Sequence, residues 1–112
     1  MWTGGSGDDL VSALSTLANP HRLRVIAALA DQETYVSELA RRLGISRALL
    51  QAHLRRLEAA GLVTSRLELS ADGKAMKFYR VNPFVFHLTP ETVALAAQTL
   101  SVPDHTDEKG QP

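Results

Sequence analysis

Residues 37–61, SELARRLGISRALLQAHLRRLEAAG, read as a short helix, a tight turn and a longer helix. Gly44 stands where a helix stops on a left-handed residue, a conformation that costs glycine no Cβ clash. Ser46 follows where a new helix needs an N-cap oxygen. In the second helix Leu50, Leu54 and Leu57 fall at i, i+4 and i+7, one apolar stripe. Leu39 and Leu43 give the first helix its own i, i+4 pair. Two such stripes can face one core with their helices crossed, which is the helix-turn-helix unit.

Opposite the stripe, the second helix carries Arg47, Ala48, Gln51, Ala52 and Arg55. Alanines among long polar donors make a thin face that can come close to another surface. Arg can bridge guanine O6 and N7, Gln can bridge adenine N6 and N7, and Ala leaves room for a thymine methyl. Between Leu39 and Leu57 there are five arginines and no acidic residue. That charge suits a groove lined with phosphates. Read alone, the stretch is equally an amphipathic helix with a solvated arginine face.

The chain has 112 residues, enough for one domain with a single core. It has no cysteine, so disulfides, thiolate metal sites and cysteine nucleophiles are excluded. No apolar run is long enough to span a bilayer, and MWTGGSGDD lacks the regions of a signal peptide. A cytoplasmic protein without a membrane partner is expected. Net charge is zero, but its distribution is uneven. Residues 39–80 hold nine Lys or Arg against three acids, and the remainder holds three against nine. One basic face on an acidic body follows.

Residues 1–7 are rich in Gly and Ser and are expected to form a disordered tail. From Asp8, Leu10, Val11, Leu14 and Leu17 recur at helical spacing, with acids at the start where the helix dipole favours them. Asn19-Pro20 reads as an N-cap and a first-turn proline. The helix they open, about residues 20–30, is expected to bury Leu23, Ile26, Ala27 and Leu29 or Ala30. Thr34-Tyr35-Val36 is a short β-like piece, and Ser37 is the expected N-cap of the next helix. Beyond Gly61, Val63, Ser65, Leu67 and Leu69 alternate with polar residues. Asp72-Gly73 predicts a hairpin with a primed turn, and a return strand spans about residues 75–81. A hairpin straight after a helix-turn-helix is a wing, and Arg66, Lys74 and Lys77 on it could meet phosphates. Phe84, Val85, Phe86 and Leu88 form an apolar cluster. Thr89-Pro90 opens a last helix to about Leu100, with Val93, Ala96, Ala97 and Leu100 on one side. So apolar a helix needs a partner surface, and pairing with a second copy, together with the first helix, is the favoured solution. Residues 102–112 are polar and are expected to be a disordered tail, leaving 8–101 as one domain.

The fold class expected is mainly α with a β-hairpin wing, a winged helix-turn-helix. Its order of elements resembles the ArsR/SmtB family of bacterial transcriptional regulators. LANPHRLRVIAAL is similar to that family's second helix, VSELARRLGIS to its third helix and turn, LLQAHLRRLEAAGLV to its recognition helix and KFYRVNP to the end of its wing. The resemblance covers about residues 10–100. It implies a homodimer on a palindromic operator of double-stranded DNA, usually as a repressor, with activation or a co-regulator protein as variants. Recognition helices of such a dimer enter successive major grooves about one turn apart. The DNA-contacting set expected is Arg42, Ser46, Arg47, Ala48, Gln51, Ala52, His53, Arg55, Arg56, Arg66, Lys74 and Lys77. The interface set is Leu10, Leu14, Leu17, Phe84, Phe86, Val93, Ala96, Ala97 and Leu100.

Members of the family commonly sense metals, and here the chain departs from their patterns. SELARRLG has no cysteine, and TPETVALAAQTLS offers only Glu91 as a ligand. No cofactor is required, although a divalent Ni, Zn or Co effector could act through other ligands. Asp104, His105, Asp107 and Glu108 are the weak candidates, with a solvated acidic tail as the plainer reading. His21 reads as a packing or surface residue, His87 as half-buried, and His53 as packing or contacting a phosphate. Two other functions compete. A winged helix can serve as a protein-interaction module, or a partner protein can do the sensing for a regulator. An enzyme is not expected, since no nucleophile-base-orienter set or phosphate-binding glycine loop is visible.

Overall fold

The computed structural model describes residues 5–101. Helix α1 (Gly7–Leu17) leads to α2 (Pro20–Asp31), the two-residue strand β1 (Thr34–Tyr35), α3 (Val36–Leu43) and α4 (Arg47–Ala59). Strands β2 (Val63–Leu69) and β3 (Ala75–Val81) follow, then α5 (Pro90–Ala97). This is the mainly α architecture with a β-hairpin wing, in the expected order.

Local chemistry explains most boundaries. Asn19 Oδ1 accepts from the Arg22 amide at 3.1 Å, and Pro20 fills the first turn of α2, where no N–H is needed. Gly44 ends α3 at φ 69°, and Ser46 Oγ accepts from the Leu49 amide at 3.0 Å to open α4. Past Ala60, Gly61 turns the chain at φ 77°, and the Leu62 amide reaches back to the Leu57 carbonyl at 2.9 Å. Thr89 opens α5 with a capping box to Thr92.

The chain divides into two compact units. The larger spans Ala13–Pro83, and the other takes residues 5–12 and 84–101 of the described chain. In the larger unit the sheet order is β1-β3-β2, all antiparallel. Leu50, Leu54 and Leu57 of α4 are fully buried, as are Leu39 of α3 and Val25 of α2. The stripe read in residues 37–61 is therefore the centre of this core. Asn82 closes the base of the wing: its side-chain amide donates to the Gly61 carbonyl at 2.9 Å and its Oδ1 accepts from Thr64 Oγ1 at 2.7 Å. In the smaller unit the Gly7 amide donates to Thr99 Oγ1 at 2.6 Å, and Asp8 accepts from Ser101. A Cβ at Gly7 would sit 2.1 Å from the Ala96 carbonyl oxygen, so the α1 start and α5 meet only because this residue is glycine.

Four expectations are corrected. The inward face of α2 carries Val25 and Leu29, with Ile26 half-buried; Leu23 is 53% exposed, and Ala27 and Ala30 are exposed. Arg22 lies on the inward side and is partly buried, and reading the helix by apolar residues alone rotates the stripe away from it. Helix α3 begins at Val36 with Tyr35 as a cap that lends no side-chain bond, so Ser37 is inside the helix. Pairing of Tyr35 with Phe78 runs the chain straight from strand to helix and leaves no room for a separate cap. The wing turn is not primed. The Gly73 amide donates to Ser70 O at 2.9 Å, Gly73 alone in the turn has positive φ (85°), and Asp72 instead binds the Ser70 hydroxyl. Gly7, assigned to the tail, is the first residue of α1.

Candidate nucleic-acid interface

Helix α4 and the wing enclose a groove of about 610 Å³. Arg47, Gln51 and Arg55, one helical turn apart, line one wall. Lys74, Ala75, Met76, Lys77 and Tyr79 of the wing line the other, and Tyr35, Val36 and Ser37 form the end at the start of α3. No acidic residue is in this lining. Arg47, Arg55, Lys74 and Lys77 make no ion pair with any described residue. Lys77 Nζ lies 5.6 Å from the centre of the Tyr79 ring, which steadies the ammonium without neutralising it.

The remaining expected contacts divide differently. Ala48, Ser46 and Arg56 are exposed on α4 or its cap, and Ala52 is half-buried. Arg42 is paired with Glu38 at 3.4 Å and bonded to Gln32, and Arg41 also binds Glu38. Arg66 is held by Glu33 at 2.6 Å and Glu68 at 2.8 Å. Its guanidinium pulls the Glu33 carboxyl below the usual range, and the two carboxylates keep Arg66 charged. Of the nine basic residues counted together in residues 39–80, Arg41, Arg42 and Arg66 are paired with acids, Arg47, Arg55, Lys74 and Lys77 line the groove without an ion pair to a described residue, and Arg56 and Arg80 belong to neither set.

His53 stands apart from these residues. It is 8% exposed, and its Nδ1 accepts from Arg22 Nε at 3.2 Å. Arg22 also donates to the Thr16 carbonyl at 3.1 Å, so one guanidinium ties the end of α1 and the middle of α4 to α2. His21 lies 5.3 Å away, ring to ring. Burial pushes the His53 pKa down, and the nearby Arg22, His21 and Arg56 add to the effect. A neutral ring accepting at Nδ1 carries its proton on Nε2, which is buried with no partner among the described residues. Of the two roles expected for His53, burial matches packing.

Sequence reasoning missed Tyr35, Ser37, Met76 and Tyr79 in the groove. Their placement depends on β1 pairing with β3, which a two-residue strand hardly advertises. Of the interface set, Leu10 is only 6% exposed and has little surface left to give a partner. Leu14, Val93 and Leu100 keep 36%, 47% and 45%, Ala97 is exposed, and Leu17, Phe84, Phe86 and Ala96 are half-buried. Val11, Val85, Leu88 and Leu95, outside that set, are also exposed. The metal candidates Asp104, His105, Asp107 and Glu108 lie outside the described residues. Among the described residues no group of three or more metal-binding side chains is gathered, and no helix is long and apolar enough to cross a membrane.

Comparison with known proteins bears on this geometry. Residues 19–65 match the family model described as bacterial regulatory protein, arsR family. An uncharacterized HTH-type transcriptional regulator of Methanocaldococcus jannaschii is 36% identical over 85 residues, covering 76% of this chain and 88% of the relative. The structure of HlyU from Vibrio cholerae is 32% identical, covers 81% of this chain and 87% of its own, and superposes with a TM-score of 0.58. A solution structure from Mycobacterium bovis, described as the homodimeric winged helix-turn-helix DNA-binding domain of a possible ArsR-family regulator, is 28% identical. It covers 94% of this chain and 87% of its own, with a TM-score of 0.61. A recognition helix and a wing around an acid-free basic groove, on a chain with these relatives, lead to one conclusion: the protein belongs to the ArsR family of winged helix-turn-helix transcriptional regulators.

Proposed function

We propose that the protein binds a palindromic operator as a homodimer and regulates transcription there, most simply as a repressor, in the cytoplasm. The observation that carries this is the groove: Arg47, Gln51, Arg55, Lys74 and Lys77 are free of acidic partners while Arg41, Arg42 and Arg66 are not. Arg47 and Gln51 supply base-edge donors in the major groove, and Lys74 and Lys77 meet phosphates beside it. Exposed Val11, Val93, Leu95 and Leu100 in the smaller unit support association with a second copy, as does the homodimeric relative from Mycobacterium bovis. Two-fold symmetry would then present α4 to half-sites about one helical turn apart.

Selection of bound duplexes from a random pool, with and without Zn, Ni and Co and at two salt concentrations, tests the reading. A palindromic motif is expected. Loss of all binding at moderate salt with no motif would favour a protein-interaction module. On the selected operator, Gln51→Ala should cost about 1–3 kcal/mol and relax specificity at one base pair. Lys77→Ala should weaken all sequences alike and lower the salt slope by about 0.9.

A further inference from the structure

The wing is joined to the rest of its sheet by little backbone. Strand β1 has two residues and pairs with β3 only at Thr34–Tyr79 and Tyr35–Phe78. Beyond Ser65 and Tyr79, the β2–β3 ribbon is largely exposed: Leu67 and Leu69 keep 71% and 76% of their surface. Lys74 and Lys77 therefore sit on the outer part of a ribbon that is anchored in the core only at its base, by Val63 and Tyr79.

One side chain crosses the sheet from edge to edge. Arg66 belongs to the edge strand β2 and is in register with Phe78 of the central strand. Its guanidinium lies 5.4 Å from the Phe78 ring centre and reaches Glu33, just before β1, at 2.6 Å. Tyr35 of β1 meets the same ring at 5.4 Å, edge on. Glu68 also accepts from the Arg66 Nε, at 2.8 Å. Lys77 and Tyr79, which line the groove, alternate with Phe78 along β3, so Arg66 works on the sheet face opposite theirs.

We propose that Arg66 is a positioning residue: strapped to Glu33 and Glu68 across Phe78, it fixes the wing against β1 and so sets where Lys74 and Lys77 stand opposite α4, without itself contacting DNA. The assignment rests on the DNA-binding reading for its consequence, but the strap exists in the free protein and can be tested there.

The experiment compares Arg66→Gln, Arg66→Lys, Glu33→Gln and the double variant Arg66→Gln/Glu33→Gln in the full chain. Amide hydrogen exchange of the free proteins should show faster exchange at Tyr35 and residues 78–80 in all four, while Leu54 is unchanged. Unchanged exchange at those amides overturns the strap whatever the DNA result. On the selected operator, each variant should bind several-fold more weakly at an unchanged salt slope. The double variant should be no worse than Arg66→Gln alone, because the Arg66–Glu33 interaction is already lost in that single variant. Lysine keeps the charge but not the fork, so Arg66→Lys should behave like Arg66→Gln. A slope lower by about 0.9 for Arg66→Gln, rescue by Arg66→Lys and tighter binding by Glu33→Gln would instead make Arg66 a phosphate contact. If the unaltered protein binds no duplex, the functional reading fails and the exchange arm still decides the strap.

Discussion

Two arginines hold the two walls of the groove, by opposite means. Behind α4, Arg22 is partly buried and bonded to neutral acceptors, the His53 ring and the Thr16 carbonyl. Behind the wing, Arg66 is exposed and bonded to two carboxylates. The first contact is part-buried, on the helix of three fully buried leucines, and is less open to salt than a surface pair. The second is open to screening and competes with water. The recognition helix is therefore a fixed element whose weakness is protonation, and the wing an adjustable one whose weakness is ionic strength.

The largest way to break this comparison is to remove the burial. Leu54→Ala should destabilise the protein by about 2–5 kcal/mol, read by denaturant unfolding. A loss below about 1 kcal/mol would mean that α4 is not anchored by its stripe. Next is Arg22→Ala, which strands the Thr16 carbonyl and His53 Nδ1 and should cost about 1–3 kcal/mol.

The pH test sharpens the same point. His53 titrates below the ordinary imidazole value of 6.5 in the folded chain, so the unfolded chain takes up its proton first. The stability contributed by neutral His53 is fully present above pH 6.5 and is lost as pH falls from there through the folded pKa. Below that value an imidazolium would oppose Arg22, with His21 and Arg56 close by, and could no longer accept its bond. Unfolding midpoints measured below pH 6.5 should fall, and His53→Gln should flatten that part of the profile. An unchanged profile would place the titration elsewhere. The smallest effect is expected at the wing tip. Gly73→Ala puts a Cβ at φ 85°, costing about 1 kcal/mol and loosening the hairpin while leaving α4 intact.

How much of this was legible depended on range along the chain. Gly44, Ser46, Asn19-Pro20 and Thr89-Pro90 announce helix boundaries because each acts on backbone groups within one turn. Leu50, Leu54 and Leu57 announce a buried face because a helix repeats every 3.6 residues. The groove wall of Arg47, Gln51 and Arg55 follows from the same periodicity. The inward side of α2 was not legible. Arg22 is polar by type, and only His53, 31 residues later, and Thr16 make its partial burial tolerable. The roles of the basic residues were equally hidden. Arg66 and Lys77 look alike in the sequence, but Glu33 claims one of them from across the sheet.

By itself, then, the sequence determined the order of elements, their caps, the core stripe and the basic face of α4. These are local matters, decided by backbone hydrogen bonds and by one helix or strand period. Only the tertiary structure decided which histidine is buried, which arginines are spent on carboxylates and where α3 begins. It also brought Tyr35, Ser37, Met76 and Tyr79 to the groove. Each of those outcomes needs partners brought together from distant parts of the chain, and the cost of burying or pairing a charge is set by what arrives beside it.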